Sequence, residues 1–363
     1  MNPPSANSAT SIPHRCWAEI DLSALRHNLS VVQAQIGPQS GIMAIVKADA
    51  YGHGMGGILT TLAGQVALFG VANLAEALDI RAILPEADIL LLGATLPGER
   101  EAVVRHGFMP VLSTLEEAGH FSKIGPTRIH LAIDTGMGRL GFLPDEFPDA
   151  FKKIRALPNL EILAVATHFP VADEDEHFTQ NQLAHYAALL PAGVDSHVLN
   201  SAGIIRFSDH ADRFVRAGLI LYGVSPIADY QEKLRPVMTL KSRVSLIRTL
   251  PAGHGVSYGR TFITTRPTRV ATVAAGYADG YHRRLSNTGA EVLIRGQRCP
   301  LLGRVTMDQI MVDITDHSAG IGDEVELFGP HISASALASL ASTIPWEILT
   351  SVSKRVPRIF LHP

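Results

Sequence analysis

Short apolar runs alternate with glycine-rich or polar breaks and helical stretches from about residue 40 to 220. Nearly continuous apolarity indicates burial on both faces, which is typical of parallel strands covered by helices. The segments between the runs begin with Thr or Ser followed by acidic residues, as helix N-termini commonly do. We therefore predict eight parallel strands, in the runs GIMAIVK (41–47), LFGVAN (68–73), DILLLG (88–93), FMPVLS (108–113), RIHLAID (128–134), ILAVATH (162–168), SHVLN (196–200) and DRFVRAG (212–218).

Eight strand–helix units in this length favour a (β/α)8 TIM-like barrel of the α/β class. A doubly wound open sheet has the same periodicity and stays open as an alternative. After residue 223, short alternating runs separated by turn-like segments predict a mainly-β domain. We place the boundary in the charged stretch QEKLRP, which gives an N-terminal tail over 1–16, a barrel over 17–235 and a C-terminal β domain over 236–363.

Composition narrows the class of protein. The chain has 363 residues, 46% of them hydrophobic, and 31 Lys+Arg against 34 Asp+Glu, for a net charge of −3. These values exclude intrinsic disorder and argue against nucleic-acid binding, which needs a basic excess. No apolar run is long enough to span a membrane, and the first residues lack the order of a secretory signal. With Cys16 and Cys299 as the two cysteines, we expect a cytoplasmic protein without a disulfide framework.

The histidines and cysteines do not show the spacing of a metal site. There is no HExxH and no Cys/His pattern of the zinc type. The segment HFPVADEDEH (168–177) contains several potential ligands, but we interpret it as an acidic loop facing solvent. We therefore expect no metal.

Polar residues mark the ends of the predicted strands, where barrel enzymes collect their catalytic groups. Lys47 is the most informative of them, because a buried lysine is costly unless it is paired or nearly neutral. A nearly neutral lysine can condense with a carbonyl group. The alternative is that Lys47 extends past the strand end into solvent. The other strand-end residues are Asp134 with Arg139 beyond it, His168, Asn200 with Ser201, and Arg216.

The loops after the last two strands, NSAG (200–203) and RAGL (216–219), are typical of an anion pocket. Small residues let backbone N–H groups approach an anion, and barrels commonly bind phosphate there. A reactive lysine beside a phosphate pocket suggests pyridoxal 5′-phosphate (PLP). Arg216 can only donate hydrogen bonds, so beside the pyridine nitrogen it favours the unprotonated form and a weak electron sink. A surface ion pair is the alternative for Arg216.

Nine segments carry long and specific motifs: AIVKADAYGHG (44–54), HLAIDTGMGRLGF (130–142), THF (167–169), LNSAG (199–203), VRAGLILYG (215–223), VSYGRTF (256–262), GYADGY (276–281), GRVTMDQIMVDI (303–314) and SKRVPRIF (353–360). In this order, from about residue 17 to 360, they resemble the signature segments of the alanine racemase family. The resemblance implies a fold-type III PLP enzyme that racemises alanine and supplies D-alanine for peptidoglycan. It also implies a head-to-tail homodimer, with each site combining one barrel with the other subunit's β domain.

The resemblance assigns Lys47 as the residue that binds PLP and as one of two bases. Tyr258 of the partner subunit is the base on the opposite face, since racemisation removes a proton from one face of Cα and returns it on the other. A hydrogen-bond chain would run from Tyr258 through His168 to Arg216. The remaining assignments are Tyr51, Asn200, Ser201, Gly218 and Leu219 for the phosphate, Arg139, Met307 and Asp308 for the substrate carboxylate, and Tyr277 for the entrance.

Two positions depart from the family pattern. Many members carry a carbamylated lysine that orients the arginine of DTGMGR, and that position here is Ala132. Arg139 therefore needs another partner, such as a bound chloride, or is oriented more loosely. Trp346 stands where the family commonly has a tyrosine that donates to the phosphate. An indole is bulkier and donates from a different place, so the phosphate affinity and the substrate range are open.

Three alternatives to alanine racemisation stay open from the sequence. The first is a racemase of serine or of broad specificity. The second is a fold-type III decarboxylase, which would lack the DTGMGR and VSYG pair and place an acid where Arg216 stands. The third is a non-enzymatic PLP carrier, which would lack the β domain and any counterpart of Tyr258.

Overall fold

The structure is a computed structural model that describes residues 14–363. Residues 1–13, which make up most of the predicted tail (1–16), lie outside the described residues. The described chain forms two compact units, each built from several segments. The barrel unit comprises Ile20–Met238, Pro345–Thr350 and Phe360–Pro363. The β unit comprises residues 14–19, Thr239–Ile344 and Ser351–Ile359.

The strands and helices follow one another in the order that the sequence pattern predicts. The strands are β1 (Cys16–Asp21), β2 (Gly41–Ile45), β3 (Leu68–Val71), β4 (Ile89–Leu91), β5 (Met109–Leu112), β6 (Thr127–Ala132), β7 (Leu160–Ala166), β8 (Asp195–His197), β9 (Phe214–Ala217), β10 (Met238–Leu250), β11 (Gly255–Val256), β12 (Phe262–Ile263), β13 (Thr268–Val273), β14 (Glu291–Ile294), β15 (Gln297–Pro300), β16 (Ile310–Asp313), β17 (Glu324–Phe328) and β18 (Arg358–Leu361). The helical elements are α1 (Leu22–Ile36), α2 (Lys47–Tyr51), α3 (Met55–Leu62), α4 (Leu74–Ile83), α5 (Arg100–Arg105), α6 (Leu115–Ile124), α7 (Phe147–Arg155), α8 (Glu176–Leu189), α9 (Ser201–Arg206), α10 (Ala334–Ala341) and α11 (Pro345–Thr350).

The barrel sheet contains, among the described residues, eight strands in the order β8-β7-β6-β5-β4-β3-β2-β9. Every pair is parallel. The two ends of this order meet where the Arg216 N–H donates to the carbonyl of Leu199, at 2.8 Å. Sequential strand order with the last strand beside the first is that of a barrel, so the predicted (β/α)8 barrel is confirmed. The alternative of a doubly wound open sheet is wrong.

Burial and capping explain why these segments form these elements. All residues of β3, β4 and β5 are buried, as their continuous apolarity predicts. The Thr114 hydroxyl accepts from the Glu117 N–H at the start of α6. The Asn200 side chain does the same for the Gly203 N–H at the start of α9, at 2.9 Å. Such caps satisfy N–H groups that the first helical turn leaves without a partner.

The β unit is mainly antiparallel, which confirms the predicted mainly-β C-terminal domain. The long strand β10 pairs with β13 and with β17, and β13 pairs with β16. On the other side β17 pairs with β14, which pairs with β15. A small core of Leu250, Val256, Val270 and Leu302 packs beneath these strands.

Within residues 14–363, the helices are all too short or too polar to cross a bilayer.

Candidate active site

A cavity of about 360 Å3 lies at the carboxyl ends of the barrel strands. This volume is near the lower end of the range for small-molecule pockets, about 300–1,000 Å3. All its lining residues belong to the barrel unit. The structure brings together in it the predicted site residues Lys47, Tyr51, Arg139, His168, Asn200, Ser201, Arg216, Gly218, Leu219 and Trp346.

The turn after β2 has an unusual backbone. Ala48, Asp49, Ala50 and Tyr51 all have φ of 53° or 54°, so α2 is a left-handed turn. This conformation costs about 1–2 kcal/mol per residue for L-amino acids, and such strain concentrates at functional sites. Tertiary contacts hold it, because the Ala48 N–H donates to Glu76 Oε1 and Asp49 Oδ1 accepts from the Met55 N–H. The turn begins at Lys47, next to the cavity.

Lys47 is half-buried and lines this cavity, which favours the functional interpretation over a side chain that extends into solvent. Burial lowers the pKa of Lys47, and the positive charge of Arg139 lowers it further, while Glu76 opposes the shift. A lysine with a lowered pKa has a larger fraction of free amine near neutral pH, which is the form that can accept a proton or attack a carbonyl.

Arg216 lies on β9 with its guanidinium enclosed by acceptors. It donates to the carbonyls of Thr167 and Val198 and to Nδ1 of His197, at 2.8, 3.0 and 2.8 Å. It also contacts Nδ1 of His168 at 3.2 Å. Burial lowers the pKa of Arg216 to about 10, so it is charged at neutral pH. The interpretation of Arg216 as a surface ion pair is therefore wrong.

The hydrogen bonds of Arg216 fix the protonation of its neighbours. An arginine cannot accept, so His168 and His197 must each offer a lone pair at Nδ1 and carry their proton at Nε2. His197 Nε2 then donates to Nδ1 of His130, at 2.9 Å. Burial lowers the pKa of His168 and of His130 to about 3, and that of His197 far below its usual range. All three rings are neutral at pH 7.

The sequence interpretation missed His197, which lines the cavity, and His130, which lies behind it in hydrogen-bond contact with His197. His130 lies inside β6 and His197 ends β8, and both are 1% exposed. The available signal was a histidine inside an otherwise apolar run, RIHLAID or SHVLN. That signal is weak, because such a histidine can also be a satisfied core residue.

The anion-type pocket forms between α9 and the loop after β9. Ser201 Oγ lies 3.3 Å from the N–H groups of both Gly218 and Ile220. A Cβ added to Gly218 would lie 2.7 Å from the Tyr51 hydroxyl, so only glycine lets the phenol approach this backbone. The structure thus groups hydroxyls and backbone N–H groups as the sequence predicts for a phosphate pocket.

Arg139 follows the loop of residues 134–138, whose backbone is held by hydrogen bonds to the Asp134 carboxylate. Asp134 Oδ1 accepts from the N–H groups of Gly136, Met137 and Gly138 at 3.0, 2.8 and 3.0 Å. Ala132 ends β6, lines the cavity and offers no polar group to orient Arg139.

Trp346 reaches the cavity from α11, a helix distant in sequence from the other lining residues. This helix packs tightly on the left-handed turn, since a Cβ at Gly52 would lie 2.3 Å from the Leu349 carbonyl oxygen. Trp346 is half-buried.

The other predicted site residues lie in the β unit. Tyr258 begins a short 3-10 helix, Tyr258–Arg260, and is 70% exposed. Ser257 before it has φ 62° and ψ −175°, a conformation that is strained for a residue with a side chain. Tyr277 and Met307 are 42% and 52% exposed, and the Asp308 side chain is 45% exposed.

Among residues 14–363, no group of three or more His, Cys, Asp and Glu side chains has the arrangement of a metal site.

Comparison with known proteins gives matches along nearly the whole chain. Two family models match, described as "Alanine racemase, N-terminal domain" over residues 20–226 and "Alanine racemase, C-terminal domain" over residues 237–360. The alanine racemase of Methylacidiphilum infernorum is 40% identical over 365 residues, covering 96% of this chain and 93% of that protein. An alanine racemase structure from Clostridium difficile 630 has a TM-score of 0.90 at 36% identity and covers 97% of both chains. That of D-cycloserine-producing Streptomyces lavendulae has a TM-score of 0.92 at 34% identity, covering 97% of this chain and 98% of that one.

Proposed function

The chain belongs to the alanine racemase family of isomerases, and from this premise we propose that it interconverts L-alanine and D-alanine with PLP as its cofactor. One observation supports this proposal most strongly. A single cavity contains an amine with a lowered pKa, Lys47, a buried arginine that can only donate, Arg216, and the hydroxyl and N–H groups around Ser201. A decarboxylase would ordinarily have an acid at the position of Arg216.

The residues around the cavity fit PLP. The Tyr51 and Ser201 hydroxyls and the Gly218 and Leu219 backbone, with Asn200 beside them, would hold the phosphate. Arg216 would donate to the pyridine nitrogen, and Lys47 would bind the aldehyde carbon. Arg139 would approach the phenolic oxygen. When bound, PLP withdraws electrons from the substrate Cα and so makes its proton acidic.

Lys47 and Tyr258 of the partner subunit act in this proposal as the two bases. Racemisation needs one group on each face of Cα, so that one takes a proton while the other returns one. The lowered pKa of Lys47 supports its role, since the free amine can accept the proton. The site is then complete only in a homodimer, with a barrel from one subunit and Tyr258 from the other.

His168 would orient the phenol of Tyr258, and Arg216 would limit how strongly the PLP ring withdraws electrons. Arg216 stays charged, so it donates to the pyridine nitrogen without giving up a proton. His168 accepts from Arg216 at Nδ1, which leaves its Nε2–H as the donor toward Tyr258. A weak sink suits a reaction that removes and returns one proton and does not break a second bond at Cα.

The substrate carboxylate would be bound by Arg139 from the barrel and by the Met307 N–H of the partner subunit, with Asp308 beside it. Tyr277 of the partner subunit would form the entrance. Trp346 fills space that a tyrosine occupies in many relatives, and we propose that it limits the pocket to small substrates such as alanine. D-alanine made here would supply peptidoglycan synthesis. Cys16 and Cys299 are free and buried, which supports a cytoplasmic location.

The proposal is tested with a panel of L-amino acids in deuterated buffer. The purified protein should be yellow, and borohydride should fix PLP to Lys47. L-alanine should gain deuterium at Cα and be converted to a mixture of L and D enantiomers faster than L-serine. Loss of CO2 would identify a decarboxylase, and PLP binding without exchange would identify a carrier. A colourless protein that takes up no PLP would contradict the cofactor assignment.

Tyr258→Phe tests the assignment of one base to each face. We expect exchange of the Cα proton to fall at least about 100-fold from L-alanine, because general acid–base groups contribute about 10²–10⁴-fold. Exchange from D-alanine should fall much less, since Lys47 still acts on its face. Tyr230→Phe, which changes a buried tyrosine of the barrel unit, is the control and should retain both rates. Equal losses from both enantiomers would refute the assignment.

A further inference from the structure

Two loops of the β unit carry groups that the proposed function assigns to the substrate. Tyr277 lies in the loop after β13, and Met307 with Asp308 lies in the loop before β16. The backbones of the two loops touch, because the Tyr277 N–H donates to the Thr306 carbonyl and the Ala278 N–H to the Met307 carbonyl, both at 3.0 Å. These two hydrogen bonds join the loops directly.

A glycine makes this close contact possible. A Cβ at Gly276 would lie 2.3 Å from the Thr306 carbonyl oxygen and 2.4 Å from that of Met307. No side chain fits at such distances, so the backbones pass as closely as sterics allow. The direct backbone contact and the groups that bind the loops from outside together set the relative position of the two loops.

Arg355, from the segment before β18, bridges the two loops. Its Nε donates to Asp279 Oδ1 and its second terminal nitrogen donates to Asp308 Oδ1, both at 2.8 Å. The other Asp279 oxygen accepts from the Gly276 N–H at 2.9 Å. The Asp279 carboxylate therefore links Arg355 to Gly276, where the backbones of the two loops come closest. Arg15 adds a hydrogen bond to the Asp308 carbonyl at 2.6 Å.

The arm of the bridge that reaches Asp308 has little value for overall stability, whereas the Asp279 side chain is buried, at 4% exposed. The side chains of Arg355 and Asp308 are 42% and 45% exposed. Ion pairs as exposed as these contribute about 0–1 kcal/mol to folding. The value of the bridge is that it holds the two carboxylates in place. A planar guanidinium can bind two carboxylates in fixed directions, whereas a lysine acts as a point charge.

We propose that Arg355 is a positioning residue for the substrate carboxylate, which sets the place of the Met307 N–H and of Tyr277 by bridging Asp279 and Asp308. The inference rests on the proposed function, in which Met307 and Asp308 face the substrate. Arg355 itself does not touch the substrate in this arrangement. It acts through the two loops that it joins.

Arg355→Lys tests the proposal in the PLP-loaded enzyme. We expect KM for both alanine enantiomers to rise about tenfold, because the lysine loses one of two charge-assisted hydrogen bonds, while kcat changes less than about threefold. The inhibition constant of acetate, which carries only the carboxylate, should rise by a similar factor. Arg295→Lys is the matched control, because Arg295 pairs with the single carboxylate of Asp323 in the same unit, and its KM should not change.

Hydrogen exchange gives a measurement that does not depend on activity. In Arg355→Lys the amides of Tyr277 and Ala278 should exchange faster, whereas those of β13 should not. Asp279→Asn provides a second variant, since it keeps an acceptor for the Gly276 N–H but weakens the bond to Arg355. The double variant should be no worse than either single one, because both act through one bridge.

The outcomes separate this inference from the proposed function. If the native protein does not racemise alanine, the proposed function fails, while the exchange experiment still measures whether Arg355 fixes the loops. If the native protein is active and both variants leave KM, acetate inhibition and amide exchange unchanged, the positioning role of Arg355 is refuted. A rise in KM without a rise in the acetate constant would refute it as well.

Discussion

At the scale of single residues, the ends of the apolar runs in the sequence were informative and their interiors were not. Lys47 and His168 stand at the ends of apolar runs, where a polar residue needs an explanation and the barrel provides one. His197 and His130 stand inside such runs. Nothing local shows that their rings contact each other, or that His197 contacts Arg216, since this requires the register of three strands. Their role therefore became visible only in the structure.

His197→Leu should weaken cofactor binding through Arg216. The leucine removes the acceptor for one guanidinium N–H at a fully buried site, and an unsatisfied buried donor costs about 1–3 kcal/mol. We expect the PLP dissociation constant, measured by absorbance titration of the apoenzyme, to rise about tenfold or more. His197→Asn keeps an acceptor near the Nδ1 position and should bind PLP nearly as the native protein does. An unchanged constant in His197→Leu would show that Arg216 does not depend on this ring.

At the scale of elements, the sequence predicts the parallel strands well but not the turn that follows β2. The segment KADAY contains no glycine, and alanine favours a right-handed helix. The left-handed turn exists because contacts from Glu76 and from the start of α3 outweigh this preference. Similarly, no local pattern joins residues 16–19 to the distant strands of the β unit, because long-range strand pairing has no short-range signal.

Ala48→Gly should stabilise the protein by relieving the left-handed backbone. Ala48 is exposed and has φ 53°, so glycine relieves about 1–2 kcal/mol of backbone strain in the folded chain. Against this gain, the greater conformational entropy of glycine in the unfolded chain costs about 0.4–1 kcal/mol of stability. We expect the free energy of unfolding in urea to rise by up to about 1 kcal/mol. Ala184→Gly, at an exposed position inside α8, is the matched control and should lose about 1 kcal/mol. Equal losses in both variants would mean that the turn carries no strain.

At the scale of the whole molecule, the proposed chemistry is divided between units. Lys47 and Arg216 belong to the barrel unit, and Tyr258 belongs to the β unit. The order of the motifs along the sequence predicts all three, because each lies in a long segment that resembles the family pattern. Which copy of the chain supplies Tyr258 to a given Lys47 depends on assembly, and no local pattern encodes that. We therefore infer the homodimer from the family resemblance and from the proposed two-base reaction.

Neutral buried histidines also give the whole molecule a pH-dependent stability. The pKa of His168 and of His130 is about 3 in the folded chain, against an ordinary value of 6.5. Below pH 6.5 the unfolded chain binds protons that the folded chain does not, so the free energy of unfolding falls as the pH drops. The slope is up to about 1.4 kcal/mol per pH unit for each histidine, and it approaches zero above about pH 8.

Urea unfolding between pH 7 and pH 5 isolates this effect, because carboxylates with lowered pKa, such as Asp134, lose their contribution only below about 3.8. We expect a clear loss of stability over this interval. His130→Asn keeps an acceptor for His197 but removes one titrating ring, so its loss should be smaller. His177→Asn changes an exposed histidine on α8 and should follow the native curve. A native stability that stays constant from pH 7 to pH 5 would mean that the rings accept protons in the folded state, and that burial does not hold them neutral.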